Sequence, residues 1–576
     1  MVSTAENGNH GNHGDGGGVE GGELQPTASQ IFRQYDPTTM KQITSAAGML
    51  VVGTPDRRRD VNEDVNETCE PAKKRYRLRA VKSDANSRTP SCVKNKRKLW
   101  EEQGRRQRRK RSEWLGSLSV MNEDEVELVL TNCDARTLAT LSCTCSYFAP
   151  IAEEVARRKV IDAHPTLEPN SNETWMSLLN FLTASERARE AEKLVGLGSY
   201  HTALINNEHV YTCGRGFHGQ LGNGQYDNVS VPERVVDVFS EGEKPVAVAC
   251  GSSHNAVISS SGRMFTWGLA SSGELGHGGW TPIELNIPKA LSCLSAVKIS
   301  SISCGSNHTV AISSCGSVWT CGRGRNGQLG HGSLHDEGPM KKVEAMANHR
   351  AVKASAGGTH TMVLCGDGRV FSWGNNLYGQ LGHQEDSLSL FKSVAIPQEI
   401  VALRSKTGKS QERIVSLSAG ARHSLAVTAN GVLFVWGENS YGCLGLGDNV
   451  RRPIPTRVRF HELLNSREEN GTIRCIHACA GGHHSAALVY DSRTCKSLLL
   501  TAGCNNYGQL GHNDQNNRKS FVVLAAGEKK RIVSISCGES SCAAQDDSGG
   551  LYLWGRGELG QLGTNDCRSH FLPVKI

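Results

Sequence analysis

The sequence predicts an all-β fold, a seven-bladed β-propeller, which follows a small all-α domain. Three observations support this prediction. A G-x-x-H motif recurs along the last two thirds of the chain. After each copy comes a stretch of alternating apolar residues that ends in Trp-Gly or Cys-Gly. A G-x-L-G turn then ends the unit. Tandem units of about fifty residues with several short strands bury their faces by stacking, and a closed ring achieves this.

The chain begins with a segment, residues 1–72, that we predict to be a disordered tail. It is rich in Gly, Asn, His and Glu and poor in large apolar residues. Such a composition cannot bury enough apolar surface to offset the entropy lost on ordering. His10 and His13 are therefore interpreted as part of a solvated tail rather than as metal ligands.

A basic segment follows at residues 73–111. It contains 17 Lys or Arg against 3 Asp or Glu, whereas the whole chain has a net charge of only +7, so the remainder is net acidic. Clustered cations of this kind are typical of nuclear-import signals, and they also suit contact with histones or nucleic acid. We expect nuclear localisation, with a cytoplasmic pool left open. The candidate import residues are Lys73, Lys74, Arg75, Lys94, Lys96, Arg97, Lys98, Arg105, Arg106, Arg108, Arg109, Lys110 and Arg111.

Residues 119–193 show a helical pattern. Val126, Val129 and Leu130 are spaced to lie on one helix face, and Asp134 is a candidate N-cap for the helix that carries Leu138. This pattern predicts a small all-helical domain before the repeats. No apolar run in the chain is long enough for a membrane span, so we expect no membrane partner.

Seven similar units occupy residues 194–576, with 52 to 66 residues between successive closing glycines. Short stretches rich in Val, Phe and Trp and bounded by glycine predict strands joined by tight turns. The motif histidines are His201, His254, His308, His360, His423 and His484, with Ser541 in the seventh place. The closing glycines are Gly222, Gly276, Gly330, Gly382, Gly445, Gly511 and Gly563.

These recurring residues are interpreted as structural. A catalytic histidine would imply six equivalent sites, the glycines suit turns with positive φ, and the Trp residues suit packing between blades. The sequence contains no P-loop, no nucleotide-binding G-x-G-x-x-G after a strand, and no nucleophile with a placed base. We therefore predict no enzyme, no cofactor and no catalytic or metal-binding residue. Cysteines such as Cys213 and Cys321, which replace the Trp of sister units, are expected to be reduced and buried.

The repeats resemble those of the regulator of chromosome condensation repeat family. The resemblance covers residues 194–576 and rests on GRGRNGQLGHG at 322–332, GNNLYGQLGH at 374–383 and GRGELGQLG at 555–563. It implies a seven-bladed propeller that binds a protein partner on one face. It also implies an alternative function, in chromatin association or in nucleotide exchange on a small GTPase, like that of the founding member.

A plant member of this family senses ultraviolet-B light through tryptophans in G-W-R-H-T units. The corresponding stretches here include GSYHT, GSSHN and GARHS, and none of them contains tryptophan. This photochemistry is therefore not expected of the chain.

The helical segment resembles an F-box, which docks on the Skp-type adaptor of cullin ubiquitin ligases. The match runs from Glu125 to Ala152, with Val120-Met121 where an F-box usually has Leu-Pro. The resemblance implies Leu130 and Leu138 as adaptor contacts, with Phe148 in the core. A helical cap packed on the propeller is the alternative role of the segment.

Together these features predict a non-catalytic adaptor. Its propeller would recognise a partner protein, and its F-box-like segment would link that partner to a cullin ubiquitin ligase. The chain ends in FLPVKI at residues 571–576, which resembles IPTRV at 454–458. We expect this final strand to pair into the first blade and so close the ring.

Overall fold

The computed structural model describes residues 126–127, 130–144, 148–164, 167–169, 173–278, 284–383, 392–404, 413–464, 473–494, 496–528 and 530–576. The predicted tail (1–72) and the basic segment (73–111) lie outside the described residues. Within the described part, no helix combines the length and apolar character needed to cross a membrane.

Three helices precede the repeats: α1 (Ala135–Thr144), α2 (Phe148–Ala163) and α3 (Trp175–Glu192). Asp134 caps α1, since its carboxylate accepts a hydrogen bond from the Thr137 backbone N–H at 2.8 Å. Thr174 caps α3 in the same way, accepting from the Ser177 N–H at 3.1 Å. Side chains at three- and four-residue spacing, Phe148 among them, form the buried face of α2.

The rest of the chain forms seven four-stranded antiparallel sheets, each with its strands in chain order. This confirms the predicted seven-bladed propeller. Blades 1 to 3 contain β1 (Val195–Leu197), β2 (His201–Asn206), β3 (His209–Gly214), β4 (Val229–Arg234); β5 (Pro245–Cys250), β6 (His254–Ser259), β7 (Met264–Leu269), β8 (Glu284–Ala290); β9 (Ile299–Cys304), β10 (His308–Ser313), β11 (Val318–Gly322) and β12 (Glu337–Lys342).

Blades 4 to 7 follow the same pattern. They contain β13 (Ala351–Ala356), β14 (His360–Cys365), β15 (Val370–Gly374), β16 (Val394–Glu399); β17 (Ile414–Ala419), β18 (His423–Thr428), β19 (Leu433–Gly437), β20 (Arg452–Arg457); β21 (Ile473–Ala480), β22 (His484–Asp491), β23 (Lys496–Gly503), β24 (Arg518–Val523); β25 (Ile532–Cys537), β26 (Ser541–Asp546), β27 (Leu551–Gly555) and β28 (His570–Lys575). Short helical turns follow several outer strands, at Ser292–Leu294, Glu344–Met346, Val401–Leu403, Phe460–Leu463 and Ala525–Glu528.

The expected ring closure by strand exchange is wrong. The final strand β28 pairs with β27 inside blade 7, and β1 pairs with β2 inside blade 1. IPTRV, which FLPVKI resembles, lies within β20, itself the outer strand of blade 5. The resemblance therefore marks the end of a unit, not the start of another. Contacts between blades close the ring instead, such as the hydrogen bond that the Thr202 hydroxyl donates to the Gln561 carbonyl at 2.6 Å.

Buried tryptophans join neighbouring blades. Trp267 is fully buried, and its Nε1–H donates to the Gln220 carbonyl of the preceding blade at 3.0 Å. The closing glycine Gly222 has a φ of +66°, and a Cβ there would lie only 2.6 Å from Nε1 of Trp267, so glycine is required both by conformation and by space. The equivalent bonds run from Trp373 to Gln328, from Trp436 to Gln380 and from Trp554 to Gln509.

The motif histidines form a second set of links between blades. The Thr309 hydroxyl donates its proton to the Glu274 carbonyl at 2.7 Å, so it accepts from His254, whose Nε2 lies 2.9 Å away. His254 is therefore neutral, with its proton on Nε2. The same link joins His201 to Asn255, His308 to Thr361, His360 to Ser424 and His423 to Ser485. Burial lowers the pKa of each of these histidines to about 3 or 4.

The helical unit packs on blades 6 and 7. Phe181 and Leu178 of α3 share one apolar cluster with Ile476 of β21 and Ile535 of β25. The unit therefore caps the propeller, which is one of the two roles that the sequence left open. Docking of an adaptor on the same unit stays a prediction.

A buried ion pair strengthens this contact. Arg474 of β21 and Glu173, just before α3, are each only 1% exposed, and Nε of Arg474 donates to the Glu173 carboxylate at 3.0 Å. The Arg474 guanidinium also lies over the Phe181 ring, 5.2 Å from its centroid. Cap and propeller are thus joined by both apolar and ionic contacts.

Candidate functional site

One end of the propeller is formed by the turns between the first and second strands and between the third and fourth strands of each blade. In each blade the motif histidine, or Ser541 in blade 7, pairs with the glycine that ends the third strand, as His201 does with Gly214. The residue before the histidine and the residues after that glycine therefore meet at the same end of the blade. We call this end the open face.

An alternating stack of aromatic rings and guanidinium groups crosses blades 6, 7 and 1 on the open face. Arg556 lies over both Tyr507 and Tyr200, at 4.6 and 5.2 Å from the ring centroids. Arg215 lies over Tyr200 and Phe217, at 5.7 and 5.5 Å. Phe217 is 65% exposed. We call these five residues the aromatic–arginine ladder; each of its two guanidinium groups lies against two rings.

A second cluster lies across blades 4, 5 and 6 of the same face. Arg422 lies 5.0 Å from the centroid of the Tyr378 ring and donates a hydrogen bond to its hydroxyl at 3.2 Å. His483 contacts the Tyr441 ring and lies 3.4 Å from the buried Glu438 carboxylate. Burial works against ionisation of Glu438, but the hydrogen bond from His483 holds its pKa below the usual range. The cluster therefore carries a negative charge on Glu438 beside the Arg422 guanidinium.

Two arginines of the open face have guanidinium groups without an ionic partner. Within the described residues, neither Arg215 nor Arg323 forms a salt bridge. Arg556, by contrast, pairs with Glu558 at 2.9 Å. Unpaired guanidiniums beside exposed rings are suited to bind carboxylates of another molecule.

The opposite end of the ring carries the helical cap. The inner strands enclose a channel of about 530 Å³, which the end of α3 also lines. Glu192 at that end pairs with Lys353 of blade 4 at 2.7 Å and with His477 of blade 6 at 3.2 Å. Burial opposes a charged imidazole, yet the neighbouring Cys479 and Glu192 raise the pKa of His477 to about 10. The end of α3 thus lies across the channel, held by two cations.

One group of soft ligands occurs at the junction of blades 6 and 7. Nε2 of His484 lies 3.1 Å from Sγ of Cys542, which is 3.6 Å from Sγ of Cys537. The three atoms lie close enough to hold a metal ion. However, the His484–Cys542 contact repeats the histidine–hydroxyl link of the other blades with a thiol in place of the hydroxyl. We therefore interpret it as a junction contact between blades.

The structure places the sequence-predicted residues in three different settings. The candidate import residues, from Lys73 to Arg111, lie outside the described residues. Leu130 and Leu138 are buried in the helical unit, 3% and 0% exposed, so neither side chain is available at the surface in this arrangement. The motif histidines and closing glycines are buried inside the blade junctions.

Sequence reasoning did not single out the aromatic–arginine ladder. Tyr200 and Tyr507 are more than three hundred residues apart, and only ring closure brings their blades close together. The sequence did contain a signal in two positions of the repeat. Directly before the motif histidine, some units have a large or charged residue where sister units have Ser, Asn or Thr. Directly after the glycine that ends the third strand, some units have Arg.

The architecture and the blade junctions define a class of protein, a seven-bladed propeller of tandem repeats. Family models identify the class further: the RCC1-like domain matches residues 334–576, and the regulator of chromosome condensation (RCC1) repeat matches 207–258 and 261–312. The chain belongs to the RCC1 repeat family.

Similar proteins agree with this assignment. The chain is 31% identical to the ultraviolet-B receptor UVR8 of Arabidopsis thaliana over 386 residues, covering 66% of this chain and 81% of UVR8. It is 30% identical to the E3 ubiquitin-protein ligase HERC2 of Mus musculus, covering 58% of this chain but only 6% of HERC2. Among solved structures, yeast RCC1 (Prp20) bound to Kap60 superposes with a TM-score of 0.54 at 19% identity, covering 68% of this chain and 86% of that one. This last likeness shows the fold alone.

Proposed function

We propose that this chain is a non-catalytic adaptor that binds a partner protein through the open face. The aromatic–arginine ladder is the observation that favours this function. Tyr and Arg dominate the energetically important positions of protein interfaces, because they bury a large area and lose little side-chain entropy. In the ladder, each guanidinium is already held between two rings, so little further ordering is needed on binding.

The charge of the open face indicates the chemistry of the partner. Arg215 and Arg323 have unpaired guanidiniums, which bind carboxylates well through two parallel hydrogen bonds. A partner segment with Asp or Glu beside an apolar side chain would satisfy these cations and cover the exposed ring of Phe217. We therefore expect an acidic segment of a protein as the ligand.

The relatives support a protein ligand. Yeast RCC1 (Prp20) was crystallised bound to Kap60, and the structure of Prp20p from Saccharomyces cerevisiae is described together with its binding to Gsp1p and histones. These ligands belong to those proteins. For this chain, a small GTPase or histones are the partners of the alternative function, in nucleotide exchange or on chromatin.

Affinity purification with matched variants tests the open face. The tagged full chain and the double variant Arg215→Ala, Arg556→Ala should be compared by quantitative mass spectrometry. Loss of two central arginines should weaken partner capture about tenfold or more. Arg234→Ala is the control, because Arg234 is an exposed, ion-paired arginine on the outer strand β4. Equal capture by the double variant and the control would rule out the ladder as the contact.

We further propose that the helical unit recruits a Skp-type adaptor and thereby a cullin ubiquitin ligase. Because Leu130 and Leu138 are buried, the adaptor would bind the outer side of the unit, or these side chains would have to leave the core. Size-exclusion chromatography of the full chain with a purified Skp-type adaptor tests this directly. If no complex forms while the open face still captures its partner, the unit serves only as a cap.

A further inference from the structure

Two neighbouring blades leave a wedge-shaped space between them. This wedge is normally filled by a side chain from the turn that follows the outer strand of the first of the two blades. Leu294, Met346 and Leu403 fill the wedges of three successive junctions, each at most 6% exposed. Each lies three residues after a buried apolar residue and donates its backbone N–H to that residue's carbonyl, as Met346 does to Val343 at 3.0 Å. The turn thus delivers one large side chain to a fixed place in each junction.

At the junction of blades 6 and 7 this position is Gly527. Its N–H donates to the Leu524 carbonyl at 2.9 Å, and Leu524 is in turn bonded to Leu499 of β23 just as Val343 is to Val318 of β11. Gly527 is therefore the equivalent of Met346. The junction has the same backbone but lacks the side chain that fills the wedge.

A cavity of about 340 Å³ lies where that side chain is missing. Its walls include Leu499, Leu524, Ile532, Tyr552, Trp554 and Pro573. The equivalent space between blades 1 and 2 also has a tryptophan and a proline in its walls, Trp267 and Pro288. There Phe239 fills it and leaves only about 10 Å³. The junction of blades 6 and 7 is thus far less filled than that of blades 1 and 2.

One cation lines this cavity. Nζ of Lys530 lies 3.7 Å from the centroid of the Tyr552 ring. Within the described residues, Lys530 forms no salt bridge. An ammonium group that contacts a ring but no carboxylate can accept an anionic partner and keep its ring contact.

We infer that this cavity binds a small carboxylate with an aromatic or branched apolar body. The volume falls within the range of small-molecule sites, roughly 300–1,000 Å³. The Trp554 and Tyr552 rings and the aliphatic walls enclose the apolar body, and Lys530 pairs with the carboxylate. Water molecules in this cavity would form few hydrogen bonds, because its walls offer few polar partners. This inference is independent of the partner proposed for the open face, since the cavity does not include the aromatic–arginine ladder.

Binding of 3-phenylpropionate to the full chain tests the inference, with tryptophan fluorescence and calorimetry as readouts. We expect saturable one-to-one binding with a Kd on the order of 1 mM or tighter, as for a small fragment. Gly527→Met should restore the missing side chain and weaken binding at least tenfold. The backbone of Gly527 is compatible with a side chain, although its Cβ would lie 3.3 Å from that of Leu499 and require a small adjustment.

Two controls make the result specific. Gly366→Met introduces the same side chain in an open turn, where a Cβ meets only ordinary contacts, and should leave binding unchanged. Lys530→Met should weaken 3-phenylpropionate about tenfold but leave the neutral 3-phenylpropanol unaffected. This second variant tests the site even if Gly527→Met fails to fold. Absence of saturable binding, or binding that neither Gly527→Met nor Lys530→Met weakens, would overturn the inference.

Discussion

The buried ion pair between cap and propeller allows a quantitative prediction. In the variant Glu173→Ala, the Arg474 guanidinium loses the carboxylate that contacts two of its nitrogens, while its hydrogen bond to the Asn430 carbonyl at 3.0 Å remains. Arg474 is only 1% exposed, so water cannot replace the lost partner without opening the interface. The variant therefore leaves a buried charge with incomplete compensation.

Breaking a buried pair by removing one partner costs about 3–5 kcal/mol, because the remaining charge is desolvated without a counter-charge. The contact of Arg474 with the Phe181 ring is present in both forms, so it does not offset this cost. We therefore expect the cap of Glu173→Ala to lose about 3 kcal/mol of docking stability. Glu462→Ala is the control: it removes an exposed pair with Arg459 and should cost less than about 1 kcal/mol.

Hydrogen exchange measured by mass spectrometry is the appropriate assay, since it separates release of the cap from unfolding of the ring. Peptides of α3 should exchange about a hundredfold faster in Glu173→Ala, while β6 and β10 of the opposite blades 2 and 3 keep their wild-type rates. Unchanged protection of α3 would refute the reasoning, because it would show that the pair contributes nothing to the docking of the cap.

Three further predictions concern the ring and the N-terminal segment. The neutral motif histidines have pKa values below the roughly 6.5 of the unfolded chain, so the unfolded state binds more protons between these values. The stability contributed by each motif histidine should be constant above about pH 7.5 and about 1.4 kcal/mol lower at pH 5.5. Urea denaturation at these two pH values checks the sum, which His477, with its raised pKa, reduces by about the contribution of one histidine. Leu403→Ala should cost about 2–5 kcal/mol in urea denaturation, because it empties a filled wedge, whereas Gly527→Met should cost far less. Neutralising the three basic clusters of residues 73–111 should move a tagged chain from the nucleus to the cytoplasm, and continued nuclear residence by microscopy would remove the import hypothesis.

The repeated motifs were sufficient to predict the ring, but they did not show at which residue each blade begins and ends. G-x-x-H and G-x-L-G recur at fixed places in each unit, so seven blades and buried histidines follow from the sequence. A tandem repeat can be divided into units at any point, however. The likeness of FLPVKI to IPTRV therefore does not show which blade the final strand joins, and IPTRV itself lies in an outer strand.

The candidate site was harder to predict because it depends on differences between the units. Arg215 and Arg556 belong to the first and last units, and their shared contact with Tyr200 exists only after the ring has closed. Leu130 and Leu138 were correctly placed on apolar helix faces, but periodicity does not say whether such a face meets another protein or the chain's own core. The cavity at Gly527 is a missing side chain, which only the comparison of equivalent turns reveals.

The position of Glu192 makes the two ends of the ring unequal. At the mouth on the cap side of the central channel, the Glu192 carboxylate is tied to Lys353 of blade 4 and His477 of blade 6. Any molecule bound on the open face would be separated from the helical unit by the full depth of the blades. A complex that used both surfaces would be linear, with this chain as the spacer that sets the distance between its two partners.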